Sequence, residues 1–345
     1  MNLTDERLEE LLSQFPKAKI AVLGDFFLDK YLDVDPRLVE TSVETGKEAH
    51  QVVDVRCSPG AAGTVVSNLA SLDAGEIYAL GLIGDDGEGF DLRKGLVKIN
   101  CRTEHLIVTP HRCTPTYLKP RDQGSDGLEG EHSRYDTKHR TLTTTQDEDA
   151  ILNALDEVLP NVDALIILDQ VQEHDCGVVT TRVQQAICER ASRQKDVVFW
   201  ADSRARVHEF RHVIIKPNEH EVLQIENPLP GQSVDEVALQ NAAQLLREKT
   251  DAPLVVTRGA DGAMVSDPEW ISIRGVRVDG PVDATGAGDS MTAGSVLALC
   301  AGATLSEAGL IGNLVASITI QQIATTGTAK REDLPSRLKQ WRTQS

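Results

Sequence analysis

The feature that most constrains this chain is an alternation of strand-length apolar runs with helix-length amphipathic ones. Strands are expected at Lys19–Gly24 and at 77–83. From residue 147 the pattern becomes regular. It predicts helix 147–159, strand 163–169, helix 178–193, strands 196–202 and 212–216, helix 233–249 and strand 253–257. Helices near 287–301 and 306–324 close the run. Strands separated by helices pair in parallel, so the pattern implies an α/β chain whose mainly parallel sheet carries helices on both faces. In such sheets ligands bind beyond the carboxyl ends of the strands. Asp25, Asp169, Asp202, Asn218 and Thr257 all stand at expected strand ends.

The run Asp283-Ala284-Thr285-Gly286-Ala287-Gly288-Asp289-Ser290 opens the first closing helix. A turn of small residues at a helix start aims backbone N–H groups at one point, where the helix dipole adds positive charge. It is an anion hole suited to a transferring phosphate. Asp289 at its edge could take up an alcohol's proton. Gly24-Asp25-Phe26-Phe27-Leu28-Asp29 sets two carboxylates past the first strand, where they could accept hydrogen bonds from a polyol. Turn and cap chemistry is the competing reading. Cys57-Ser58-Pro59-Gly60-Ala61-Ala62-Gly63-Thr64 is a small-residue turn feeding a helix. Lys216-Pro217-Asn218-Glu219-His220-Glu221 sets Asn218 and Glu221 on one helical face, able to serve one hydrated Mg²⁺ or simply to start a helix.

Several functions are excluded. There is no Walker A sequence and no G-x-G-x-x-G. The Gly84–Gly89 loop lacks EF-hand spacing, and His208 and His212, four apart with Glu209 between them, are read as surface residues. Net charge is −18 and aromatics are 4%, so nucleic acid and anionic membrane are poor partners. Six scattered cysteines without C-x-x-C argue against zinc and for reduced thiols. No signal peptide is expected from the acidic residues 1–16, and no run reaches membrane-spanning length, which predicts a cytoplasmic protein.

The string D-x-T-G-A-G-D resembles the signature of the ribokinase-like (PfkB) family of carbohydrate kinases. The segments at 24–29, 57–64, 84–89, 216–221 and 255–262 resemble that family's other motifs in the family's order. Within the family, 24–31 and the ending Thr326-Gly327-Thr328-Ala329 are most similar to the sugar-kinase half of ADP-heptose synthases. The chain departs at Ala61, where the family has glycine, and at Thr64, where it usually has asparagine. The region 37–47 lacks that subgroup's proline-rich segment, and no nucleotidyltransferase half is expected in these 345 residues.

The resemblance implies one three-layer α/β/α kinase domain over residues 1–345, with a small β-sheet lid from segments 31–56 and 111–136. It implies ATP-dependent phosphorylation of a sugar or sugar-phosphate hydroxyl. Asp289 would be the general base, and Gly286, Ala287 and Gly288 the anion hole. Asp25, Asp29, Gly60 and Thr64 would bind the sugar. Lys216, Asn218, Thr257, Arg258, Gly259, Gly262 and Asn313 would line the nucleotide site, with Lys216 and Arg258 as phosphate cations. Glu221 would serve Mg²⁺ and Asp283 a monovalent cation. The lid is a candidate homodimer surface. The competing readings are a nucleoside or vitamin kinase of the same fold and a non-catalytic sugar- or nucleotide-binding regulator.

Overall fold

A computed structural model describes residues 3–125, 130–225, 228–229, 232–266, 269–323 and 325–344. Its main sheet is parallel, in the order Ile214–Ile215, Val198–Ser203, Ala164–Asp169, Lys19–Gly24, Glu76–Gly84, Cys101–Arg102, with Leu106–Thr109 also pairing Glu76–Gly84. Single bridges from Ile215 to Leu254 and Asn218 to Thr257 join it to an antiparallel sheet of Val255–Thr257, Ala263–Ser266 and Trp270–Ile273.

Strand side chains alternate between faces, and both faces are dry. Ile20, Val22, Ile166 and Leu168 share a core with helices Ala62–Ser71, Ala287–Cys300 and Leu305–Thr319. Ala21, Leu23, Leu165 and Ile167 share another with helices Thr145–Val158, Thr181–Arg193 and Glu236–Thr250. The result is the expected three-layer α/β/α arrangement. The small residues after Asp289 let two helices approach closely. A Cβ on Gly312 would lie 2.2 Å from Ser295 Oγ, and one on Gly294 2.7 Å from Val315.

The second sheet orders Tyr135–Thr137, Thr116–Asp122, Phe26–Val34 and Val52–Ala61. It takes in residues from Phe26 onward, earlier than the expected 31, and 26–34 is a continuous strand rather than a turn followed by irregular chain. Its period-2 pattern is hidden because both faces are covered at its base, where residues 26–29 are all buried. Within the second lid segment, Gly127 lies outside the described residues.

Two predicted boundaries move. The strand expected from 212 is only Ile214–Ile215, because His212 has positive φ and donates its N–H to Thr250 O. The helix expected to reach 324 stops at Thr319, and the Ile320 carbonyl instead accepts from Asp283 N–H. No helix among the described residues is long and apolar enough to cross a membrane.

Candidate active site

The ends of the central strands, the Thr285–Asp289 turn and the lid enclose a cavity of about 150 Å³. It is lined by Asp29, Ala61, Thr64, Tyr117, Lys119, Arg134, Gln170, Arg204, Thr285, Gly286, Asp289 and Thr326. Asp29 and Asp289 thus come from segments 260 residues apart to face one space.

Gly286 makes the turn possible with φ +76°, and Ala287 N–H closes it onto Ala284 O at 3.1 Å. Ala287's donor is therefore taken by the turn itself. The N–H groups of Gly288 and Asp289 belong to the helix's first turn, which has no intrahelical acceptors, so they remain for an anion. Half-buried Asp289 has its carboxyl pushed up to about 7, by burial and by Asp202, against the pull of Lys216 and Arg204.

The two acids of the first motif part company. Asp25 is enclosed: Oδ2 accepts from Gln170 and Val171 N–H at 2.9 and 3.0 Å, and Oδ1 from Val178 N–H at 2.8 Å. It clamps the loop after strand Ala164–Asp169 and does not line the cavity. Asp29 does line it, paired with Lys119 Nζ at 2.7 Å. Gly60 makes room for that carboxylate, since a Cβ there would lie 2.4 Å from Asp29 Oδ2. Ala61 follows at φ +52°, where glycine would rest without strain. Thr64 lies against the turn, 3.2 Å from where a Gly286 Cβ would be.

Lys216 is buried beneath the Gly286–Gly288 turn and paired with Asp202 Oδ2 at 2.8 Å. Its Nζ is 3.3 Å from where a Cβ of Gly288 would sit. Asn218 and Glu221 form a reciprocal helix cap, Asn218 Oδ1 accepting from Glu221 N–H and Glu221 Oε2 from Asn218 N–H. The helix-start reading therefore holds for this pair, with Glu221's other oxygen left uncommitted. Burial, then Asp202, raises Glu221 to about 7. Asp202 raises both Glu221 and Asp289, while Lys216 and Arg204 lower both, and no three His, Cys, Asp or Glu side chains among the described residues are gathered closely enough to hold a metal ion. Asp283 is buried and accepts from Thr285 N–H at 3.0 Å, so one of its oxygens already braces the turn.

Further out, Arg258 faces Glu219 and Glu236 at 3.8 and 3.4 Å, not the Asp289 cavity. Its neighbours Gly259 and Gly262 have φ of +53° and +93°, and a Cβ on Gly262 would strike Ile273 O. Thr257 N–H donates to Pro217 O, tying the small antiparallel sheet to the main one. Asn313 donates to Arg274 O at 2.8 Å, away from the cavity. Asp86 of the rejected calcium loop caps helix Gly87–Lys98 through Gly89 N–H.

Sequence reasoning missed Lys119, Arg134, Arg204, Tyr117 and Gln170. Arg204 and Gln170 each follow a flagged strand-end acid and were within reach. Lys119 and Arg134 carry no local signal.

This combination of fold and site defines a ribokinase-like kinase. Residues 17–331 match the pfkB family of carbohydrate kinases, and the chain belongs to that family. The bifunctional protein HldE of Nitratiruptor sp. is 29% identical over 92% of this chain and 64% of its own length. That of Shewanella denitrificans is 28% identical over 93% and 64%. The chain thus spans a little under two thirds of these relatives. The solved structures it resembles include a putative sugar kinase from Clostridium perfringens (TM-score 0.70, 18% identity, 93% of this chain and 96% of that one). Phosphofructokinase-2 from Escherichia coli is another (TM-score 0.67, 20% identity, 94% and 99%).

Proposed function

We propose that this carbohydrate kinase transfers the γ-phosphoryl group of ATP to a hydroxyl of a sugar, and that a phosphorylated sugar is its preferred acceptor. The observation that carries the reading is the single cavity shared by Asp289, Asp29 and the cations Lys119, Arg134 and Arg204. Asp29 supports polyol binding, and a lining that holds three cations against the two carboxylates Asp29 and Asp289 favours an acceptor that is itself anionic.

Asp289 takes the acceptor's proton as the hydroxyl oxygen bonds to the γ-phosphorus. The bond from that phosphorus to the β-bridging oxygen breaks, and ADP leaves with its electron pair. The N–H groups of Gly288 and Asp289 stabilise charge on the phosphoryl oxygens. Lys216 stays beneath the turn and holds Asp202, acting through the field more than by contact. Glu221 would hold Mg²⁺, which neutralises the phosphate tail when bound. Asp283 is the candidate to hold a monovalent cation beside the turn. The reading includes a cytoplasmic enzyme. The lid's edge strand, with Val52, Val53 and Val55 exposed, is its surface for self-association.

A coupled ADP-release assay over free and phosphorylated sugars, heptoses included, tests the reading. Phosphorylated sugars should give the higher kcat/KM. Turnover that is equal with and without the acceptor's phosphate would remove the preference, and no ADP release on any sugar would remove the function.

A further inference from the structure

Cations in this protein's site are nearly all matched to carboxylates. Lys119 pairs with Asp29, Arg134 with Asp136, Arg206 with Asp169, Lys216 with Asp202, and Arg258 with Glu219 and Glu236. Arg204 differs. Among the described residues its side chain makes one hydrogen bond, from Nε to Gln170 Oε1 at 2.9 Å, and no ion pair. Both terminal amino groups are left open. In a chain of net charge −18 an unpaired guanidinium beside the reacting centre is a specific feature.

Its position is equally specific. Arg204 lines the Asp289 cavity and also a second cavity of about 640 Å³, walled by Asn218, His220, Glu221 and Gln224. It is the one residue common to the two linings. Its charge lowers both Asp289 and Glu221. The residue is exposed, yet its base is fixed. Arg204 N–H donates to Asp169 O at 3.1 Å, and Gln170 is itself held by Asp25 through its N–H.

We infer that Arg204 is a catalytic residue whose open guanidinium edge binds the phosphoryl group in flight between nucleotide and acceptor. The inference rests on the kinase reading above. Two parallel N–H donors match the equatorial oxygens of a transferring phosphoryl group, where charge is greatest in the transition state. Binding that strengthens only there raises kcat rather than lowering KM. Arg258, which the sequence suggests for this task, is neutralised by two glutamates instead.

The test compares wild type with Arg204→Ala and Arg204→Lys. Arg204→Ala should lower kcat roughly 10²- to 10³-fold, with KM for acceptor and ATP within about threefold. Arg204→Lys should recover only part of the loss, and added guanidinium should partly rescue Arg204→Ala. Thermal melting supplies a readout independent of the acceptor. MgADP with aluminium fluoride should stabilise wild type beyond MgADP alone, and this increment should vanish in Arg204→Ala. An unchanged kcat, a loss confined to KM, or an aluminium fluoride increment that persists in Arg204→Ala would each overturn the inference. Failure of wild type to bind MgADP at all would overturn the kinase reading itself.

Discussion

Lys216 Nζ lies 2.8 Å from Asp202 Oδ2, a buried lysine paired with a half-buried carboxylate beneath the Gly286–Gly288 turn. The pair sets the field in which Asp289 and Glu221 ionise, since Asp202 raises both carboxyls and Lys216 lowers both. Replacing Lys216 with Met leaves the half-buried Asp202 without its ion-pair partner. Lys216→Met should cost about 3 kcal/mol of stability and shift the acid limb of the kcat/KM profile to higher pH. Chemical denaturation and a pH–rate series check both. A limb that stays in place would show that Lys216 does not act on Asp289.

Asp289→Asn should lower kcat by roughly 10²–10⁴, the range for a lost general base, with nucleotide affinity retained. In wild type the acid limb should fall near pH 7, where Asp289 loses its proton. The same shift governs stability. The folded pKa stands above the ordinary 3.8, so the native state binds more protons than the unfolded one between about pH 4 and 7. Wild type therefore loses stability from this group as pH rises through that window. Asp289→Asn should match wild type at pH 4 and exceed it by up to about 4 kcal/mol at pH 8, at about 1.4 kcal/mol for each unit of the window and less to the extent that solvent screens this half-buried group. A constant difference across pH would place the group's titration elsewhere.

Glu221→Gln keeps an oxygen to accept from Asn218 N–H, so the helix cap and the melting temperature should survive. The lost charge should raise the Mg²⁺ concentration for half-maximal rate. Titrating rate against Mg²⁺ decides it, and an unaltered requirement removes Glu221 from the metal site.

Asp25→Asn removes the charge that accepts three backbone N–H groups. Charge-assisted bonds of this kind are strong when buried, and the loss should be about 2–3 kcal/mol. Sugar and nucleotide binding should weaken together as the 170–178 loop loosens. A selective loss of sugar affinity, measured by calorimetry with each ligand, would instead make Asp25 a direct sugar ligand.

Ala61 sits at φ +52°, ψ −116°, a conformation that favours glycine. Ala61→Gly should raise stability by about 1 kcal/mol, the sum of relieved strain and a small entropic cost. An unfolding midpoint that falls would show that the methyl group's packing outweighs the strain.

The parallel sheet, its covering helices and the tight turn at Gly286 were legible in the sequence, because strand and helix periods and glycine turns are short-range properties. The same local signals placed Asp25 and Asp29 together as sugar ligands. Only the tertiary structure separated them, since Asp25 stands at the break between two strands, inside a ring of backbone donors, while Asp29 lies along the second strand at the cavity wall. The lid's start at Phe26 was hidden because burial on both sides erases alternation. The pairing of Lys216 with Asp202, of Arg258 with two glutamates, and the open edge of Arg204 were likewise decided by packing. Which charge meets which depends on distances between elements far apart in the chain, and no local pattern encodes those distances.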